Sequence, residues 1–178
     1  FASSGARYFT EADWRIGRQP EILQPMAASG CVQLLMGIES LVFRYPGMGK
    51  KNESLDLMLD AVHAVQDAGI AVNGCFIIGA EGETEASVER LVDFILQSPF
   101  ADVQLSLQTP FPGTPLYDRL RRAGRMLPDR GWSSYTLFDV TYTPDAMSDA
   151  AVEEALDDAL SGDYSSTETA RRQALRRR

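Results

Sequence analysis

Three apolar runs of the sequence, at 32–39, 70–79 and 103–108, each end in residues that could contact a polar ligand. A carboxylate, a hydroxyl and a side-chain amide can form hydrogen bonds, and a glycine lets a ligand approach the backbone closely. Short apolar runs bounded by glycine and proline are typical of buried strands, so these residues are predicted at strand ends. The candidate ligand-binding residues are Glu39, Ser40, Ile77, Gly79, Gln108 and Pro110.

The segment that follows the third run is a rigid connection from a strand to a helix. Two prolines, at 110 and 112, fix the backbone and remove two hydrogen-bond donors, which ends the strand. Gly113 allows a sharp turn, Thr114 is a favourable N-cap, and Pro115 suits the first helical turn. This strand-to-helix junction is the kind of place where barrel enzymes build their active sites.

The chain as a whole alternates predicted strands and helices. The sequence predicts strands at 7–10, 32–39, 70–79 and 103–108, helices at 20–29, 55–69, 85–97 and 115–123, an extended segment at 135–142, and a helix capped by Ser148. Four β/α units in succession predict a parallel sheet with right-handed crossovers. We assign residues 1–147 to this unit and residues 148–178 to a C-terminal helix and a polar, Arg-rich tail.

The alternation of side chains within the strands indicates a barrel wall. In the run 103–108 the aliphatic side chains share one face, whereas Gln104, Ser106 and Gln108 share the other. A doubly wound parallel sheet is covered by helices on both faces, so its strands should be apolar throughout. One polar face fits strands that meet helices outside and line a polar lumen inside. The predicted fold class is α/β, a parallel sheet forming part of an open α/β barrel.

Composition and charge exclude several functional classes. The net charge of −8 argues against a broad nucleic-acid surface, and no apolar run reaches the roughly 18 residues of a membrane span. Cys31 and Cys75 form neither a zinc pattern nor a disulfide framework, so we expect no metal site in this chain and a cytoplasmic location. Arg171, Arg172 and three terminal arginines are expected in a disordered tail. Because the first residue is Phe1, we expect a fragment of a longer protein.

Three motifs together resemble the later strands of a radical SAM (S-adenosylmethionine) barrel. They are Gly-Ile-Glu-Ser at 37–40, the Gly/Ile/Gly strand followed by acidic residues, and Pro-Phe-Pro-Gly-Thr-Pro-Leu-Tyr at 110–117. The likeness, over roughly residues 9–148, is strongest to radical SAM oxidoreductases that also carry a cobalamin-binding domain. It implies an open (β/α)6-type, TIM-like barrel with a 4Fe-4S cluster and S-adenosylmethionine. Reductive cleavage of this cofactor yields a 5′-deoxyadenosyl radical, which abstracts hydrogen from a small-molecule substrate.

The resemblance also implies roles for the candidate residues. Glu39 and Ser40 would lie beside the ribose or methionine portion of the cofactor. Ile77 and the backbone up to Gly79 would contact the adenine, with Gln108 and Pro110 near its edge.

The chain departs from this family in two motifs. The family's Cys-x3-Cys-x2-Cys cluster loop has no match, since Cys31 begins one predicted strand and Cys75 lies within another. In the family's Gly-x-Ile-x-Gly-x-x-Glu pattern, Cys75 replaces the first glycine and Gly82 replaces the glutamate, between Glu81 and Glu83. We therefore expect the C-terminal half of a catalytic barrel. Its partner would be the missing N-terminal half, and the chain alone should be inactive.

Simpler explanations compete with these assignments. Glu39 could cap a loop, and Glu81 and Glu83 could be helix N-terminal charges rather than site residues. The glycine-rich segment 47–51 lacks the spacing of a phosphate loop and is interpreted as a flexible connection. The alternative function is a non-catalytic α/β module that binds a small polar ligand or a partner protein.

Overall fold

The computed structural model describes residues 5–42 and 55–175. The strands are β1 (Tyr8–Asp13), β2 (Cys31–Glu39), β3 (Ala71–Ile78) and β4 (Asp102–Leu107). The helices are α1 (Pro20–Ala28), α2 (Leu55–Asp67), α3 (Glu85–Gln97), α4 (Pro115–Arg122), α5 (Asp149–Asp163) and α6 (Ser166–Leu175), with short 3-10 turns at Trp14–Arg18 and Trp132–Ser134. The predicted loop 47–51 and the three terminal arginines lie outside the described residues.

The four strands form one parallel sheet in the order β1-β2-β3-β4. The register places Asp13 opposite Gly37, Gly37 opposite Cys75, and Cys75 opposite Gln104. Strands that follow one another in space as they do in sequence form a barrel wall, whereas a doubly wound sheet reverses its strand order. The predicted parallel sheet of β/α units, as part of an open TIM-like barrel, is confirmed.

The helices cover the apolar face of the sheet. Leu34, Met36 and Ile38 of β2 are fully buried. Behind β3, three phenylalanine rings pack edge to face, with centroids 5.6 to 6.3 Å apart: Phe76, Phe94 and Phe100. On β4, by contrast, Gln104 is exposed on the opposite face. The prediction that the aliphatic residues meet the helices and the polar ones face away is therefore confirmed for these strands.

The predicted extended segment at 135–142 is wrong as a strand. Its only ladder contact in the described chain is an isolated antiparallel bridge between Tyr142 and Met126. Leu137 has a φ of 74°, in the left-handed region, and this interrupts the extended backbone.

The expected disordered Arg-rich tail is also wrong as far as residue 175, because α6 is folded onto the domain. Arg172 is only 5% exposed. It forms an ion pair with Asp163 and donates a hydrogen bond to the Phe100 carbonyl at 3.1 Å. Arg171 donates to the Ser98 carbonyl at 3.0 Å. No helix among the described residues has both the length and the apolar content needed to cross a membrane.

Candidate functional site

A cavity of about 490 Å³ opens on the sheet face that the helices do not cover. Its polar lining comes from all four strands and consists of three carboxylates, a thiol and an amide, from Glu11, Asp13, Glu39, Cys75 and Gln104. The volume lies within the range of small-molecule sites. Of the polar residues that the sequence predicts on the inner face, Glu39 and Gln104 share this cavity, whereas Ser106 and Gln108 do not line it.

Glu39 is held over this cavity by an irregular end of β2. The pairing with β3 shifts register between Gly37 and Glu39, and Glu39 has a φ of 65°. A β-carbon at Gly37 would lie 2.5 Å from Oε1 of Glu39, so the carboxylate occupies the space that glycine leaves. Left-handed backbone at a residue other than glycine costs about 1–3 kcal/mol and is most frequent at functional sites.

The Glu39 carboxylate is an available hydrogen-bond acceptor. It is half-buried, and it has no hydrogen-bond or ion-pair partner within the described chain. Burial raises the pKa of Glu39 above its ordinary value of 4.5. A partly desolvated carboxylate without a partner can bind hydroxyl or ammonium groups of a ligand.

The raised pKa of Glu39 predicts a pH dependence of stability. The folded chain binds this proton more tightly than the unfolded chain, so ionisation of Glu39 favours unfolding. The free energy of unfolding of wild type relative to Glu39→Gln should rise as pH falls from neutral through the folded pKa, and level off below about 4.5. Urea denaturation of both proteins across this pH range measures the difference. A difference that stays constant with pH would mean that the carboxylate is as well solvated as in the unfolded chain.

A buried carboxylate, Glu83, joins the ends of β2 and β3. Its Oε1 accepts a hydrogen bond from the Ser40 hydroxyl at 2.5 Å. Its Oε2 accepts from the backbone N–H groups of Gly79 and Ala80, at 2.9 and 3.2 Å. Burial raises the pKa of Glu83, although these three hydrogen bonds act in the opposite direction. The Ser40 hydroxyl, which was predicted to contact a ligand, is thus bonded inside the protein.

A second network joins the ends of β3 and β4. Gly79 has a φ of 88°, and its carbonyl accepts a hydrogen bond from the Tyr142 hydroxyl. That hydroxyl in turn accepts from Nε2 of Gln108 at 2.8 Å. Burial raises the pKa of Tyr142 to about 12, so the hydroxyl keeps its proton at neutral pH. Gln108, predicted on the inner face, lies just past the end of β4 and packs against Tyr142 instead of lining the cavity.

The remaining candidates are apolar. Ile77 is half-buried and pairs in register with Ser106 on the cavity face. Pro110 is buried just beyond Gln108. The structure therefore brings the six predicted residues to one edge of the sheet, with Glu39 in the cavity, and their contact with a cofactor stays a prediction.

Sequence reasoning missed Tyr142 and left Glu83 undecided. The Tyr142 hydroxyl donates to the carbonyl of Gly79, which lies 63 positions earlier in the sequence, and no local sequence pattern indicates that contact. For Glu83 the sequence does contain a signal. It lies one position after Gly82, which occupies the glutamate position of the family pattern, and from there an acidic side chain can still reach the N–H groups of the Gly79 turn.

The two thiols cannot bind a metal cluster together. Cys31 lies in the core, whereas Cys75 lines the cavity with its pKa raised to about 11 by burial and by the charges of Glu39 and Glu11. Cys75 pairs with Gly37, which lies six residues along β2 from Cys31, so the α-carbons of the two cysteines are about 20 Å apart. Among the described residues no three metal-ligating side chains cluster. A 4Fe-4S cluster therefore does not fit this chain.

S-adenosylmethionine fits better, because its ribose hydroxyls and ammonium group are donors. The cavity face offers the Glu39 carboxylate, and two residues before Cys75 the buried Oδ1 of Asn73 has no partner among the described residues. Both groups are acceptors that such a ligand could satisfy.

The chain is similar to parts of larger curated proteins, although no family model matches it. It is 28% identical over 146 residues to bacteriochlorophyllide d C-12(1)-methyltransferase of Chlorobaculum tepidum, covering 80% of this chain and 31% of that protein. It is 32% identical over 120 residues to hopanoid C-2 methylase of Rhodopseudomonas palustris, covering 67% of this chain and 23% of that protein. The chain thus spans a third or less of the length of these relatives.

Among solved structures, the chain resembles TsrM from Kitasatospora setae. That protein is a radical S-adenosylmethionine methyltransferase whose structure has cobalamin and a 4Fe-4S cluster bound. The match covers 95% of this chain and 36% of the neighbour, with a TM-score of 0.58 and 17% sequence identity. At this identity the match establishes the fold.

Proposed function

The chain is part of a radical SAM-type barrel, and from this premise we propose that it forms the C-terminal portion of the catalytic domain of a methyltransferase. The curated relatives are named for methylation of large ring molecules. The reaction proposed for the parent enzyme is therefore methyl transfer to a small molecule, in place of the oxidoreductase activity expected from the sequence. The observation that carries the proposal is the Glu39 carboxylate, which has no partner among the described residues and lies in a cavity at the carboxyl edge of the sheet.

In the proposed enzyme this chain binds and orients S-adenosylmethionine. Glu39 would accept hydrogen bonds from the ribose hydroxyls or pair with the ammonium group, and Ile77 would pack on the adenine. Glu83 and Tyr142 would hold the strand ends that carry these groups. When bound, one molecule of S-adenosylmethionine would supply the methyl group, and another, reductively cleaved to methionine, would supply a 5′-deoxyadenosyl radical. The cluster, and cobalamin if the parent uses it, would be held by residues outside this chain.

The partner proposed for this chain is the N-terminal half of the barrel. Within the described residues β1 pairs only with β2, so its other edge can accept a further strand. On the cavity face of β1, Phe9 is 66% exposed and would be covered by such a strand and its neighbours. A cytoplasmic location belongs to the same proposal.

The proposed function is tested with Glu39→Gln in the full-length parent, reconstituted with iron and sulfide. A charge-assisted hydrogen bond contributes roughly 1.5–3 kcal/mol, so the variant should bind S-adenosylmethionine about 10- to 100-fold more weakly. Folding should change little, because the amide fits the same space. The matched control is Glu81→Gln, since Glu81 is exposed and paired with Arg119 at the surface. Calorimetric titration and melting temperatures provide the measurements.

Two results would contradict the proposal. Unchanged affinity for S-adenosylmethionine with a lower melting temperature would make Glu39 a structural residue. A parent that forms no cluster, and neither cleaves S-adenosylmethionine nor transfers its methyl group, would favour the alternative of a non-catalytic ligand-binding module. That alternative draws support from the poor fit of a cluster to this chain.

A further inference from the structure

Five apolar side chains beside the end of β4 are partly or largely exposed. We call this group the apolar rim, and it consists of Phe111, Trp132, Tyr135, Leu137 and Phe138. Trp132 is 71% exposed and Phe138 is 55% exposed. The half-buried Tyr135 ring packs near the two other rings of the rim closest to it, with its centroid 5.4 Å from that of Trp132 and 6.1 Å from that of Phe111. Clustered exposure of large apolar side chains marks an interaction site.

The apolar rim is fixed to the same edge of the sheet as the proposed cofactor site. The backbone N–H of Leu107, the last residue of β4, donates to the Leu137 carbonyl at 2.7 Å. Gln108 then follows directly along the chain. Ligands bind at the carboxyl ends of parallel strands in barrels, so the rim lies where a substrate would approach.

The backbone of the rim includes a conformation that is energetically unfavourable for a residue other than glycine. Leu137 has its left-handed φ of 74°, and the Phe138 N–H donates to the Thr136 hydroxyl at 3.1 Å. The same hydroxyl donates to the Asp139 carboxylate at 2.5 Å. A strained, hydrogen-bonded turn that exposes a leucine and a phenylalanine is more typical of a binding surface than of a passive loop.

The ring geometry of the rim differs from that of the core. The core phenylalanines meet at 69° to 78°, which suits rings that bury one another's faces and edges. In the rim the Tyr135 ring is tilted by only 30° to Trp132 and 42° to Phe111. Rings that lie nearer to parallel and remain exposed can stack on a flat ligand.

We propose that the apolar rim binds the flat, conjugated ring system of the substrate. As a substrate site the inference rests on the proposed function, whereas ring binding itself can be measured without S-adenosylmethionine or a cluster. The rim contains no charged side chain, so it suits an uncharged ring. A strand added beyond β1 would lie four strand spacings, about 19 Å, from β4. The rim therefore stays open on the side where the substrate enters.

The test uses the full-length parent and 1-pyrenemethanol, a flat uncharged probe, in equilibrium titrations without cofactors. Trp132→Ala should weaken binding about tenfold, and Trp132→Phe should retain most of it, because a ring remains for stacking. Ile22→Ala is the matched control, since Ile22 is an exposed apolar residue on α1. It should change the affinity less than twofold. Decahydro-2-naphthol, a saturated ring alcohol, should bind at least tenfold more weakly than the flat probe.

Three results would overturn the proposal. Equal binding of the saturated alcohol would make the rim a general apolar surface. Unchanged pyrenemethanol affinity in Trp132→Ala would place the ring elsewhere. Trp132-dependent binding to phosphatidylcholine vesicles, without probe binding, would make the rim a membrane contact. If the rim binds the probe but the parent neither cleaves S-adenosylmethionine nor transfers its methyl group, the proposed function fails and ring binding stands.

Discussion

Replacing Glu83 with alanine should lower the free energy of unfolding by about 2–4 kcal/mol, because the change leaves two buried backbone N–H groups without an acceptor. Glu83 is 3% exposed, so these hydrogen bonds lie away from bulk water. Its partners, Gly79 and Ala80, form the turn that follows β3, and Ser40 follows β2. The loss should be measured by urea denaturation of the variant and the wild-type chain.

The neighbouring Glu81→Ala is the control for this prediction. Glu81 belongs to the same turn, but it is exposed and its ion pair with Arg119, at 3.1 Å, lies at the surface. Surface pairs contribute roughly 0–1 kcal/mol, so this variant should stay close to wild type. Similar effects of Glu81→Ala and Glu83→Ala would show that the buried hydrogen bonds of Glu83 do not hold the strand ends together.

The elements that the sequence predicts well are those whose signal is local. The helix at 85–97 has the predicted bounds, because Thr84 caps it and its apolar residues follow the helical period. Thr114 caps α4 as predicted, with its hydroxyl accepting from the Tyr117 N–H at 3.2 Å. Alternation along β2, β3 and β4 separates the helix-covered face from the cavity face. These features together determine the fold class.

The polar contacts at the strand ends were harder to predict. Alternation places Glu39 correctly on the cavity face, but it cannot tell that Ser40 is bonded to Glu83 or Gln108 to Tyr142. Those pairs join residues 43 and 34 positions apart, and their geometry depends on how the strands are arranged. A polar residue at a strand end is thus equally compatible with binding a ligand and with supporting its neighbour.

Helix α6 was missed although the sequence contains its start signal. Ser165 and Glu168 have the spacing of a capping box, and the Glu168 N–H donates to the Ser165 hydroxyl at 3.3 Å. The arginine-rich composition of the segment is typical of a disordered tail and therefore favours the opposite prediction. What composition cannot show is that an arginine meets a buried carboxylate when the helix folds back on the domain.

Arg172 forms its contacts at the opposite end of the sheet from the cavity. Arg172 donates to the carbonyl of Phe100, just before the start of β4. In barrels the amino ends of the strands contribute mainly to stability, whereas the carboxyl ends carry the active site. Changes at Arg172 should therefore affect folding without altering cofactor binding.

Arg172→Ala should lower the free energy of unfolding by roughly 3–5 kcal/mol, because it leaves the buried Asp163 carboxylate without its partner. The double variant Asp163→Leu/Arg172→Met should recover most of this loss. It removes both charges together, along with the Arg172 Nε group, which is buried without a partner among the described residues. Arg90→Ala, at an exposed position on α3, is the control and should stay near wild type. Urea denaturation of the four proteins compares their free energies of unfolding, and a double variant no more stable than Arg172→Ala would show that apolar packing cannot replace the ion pair.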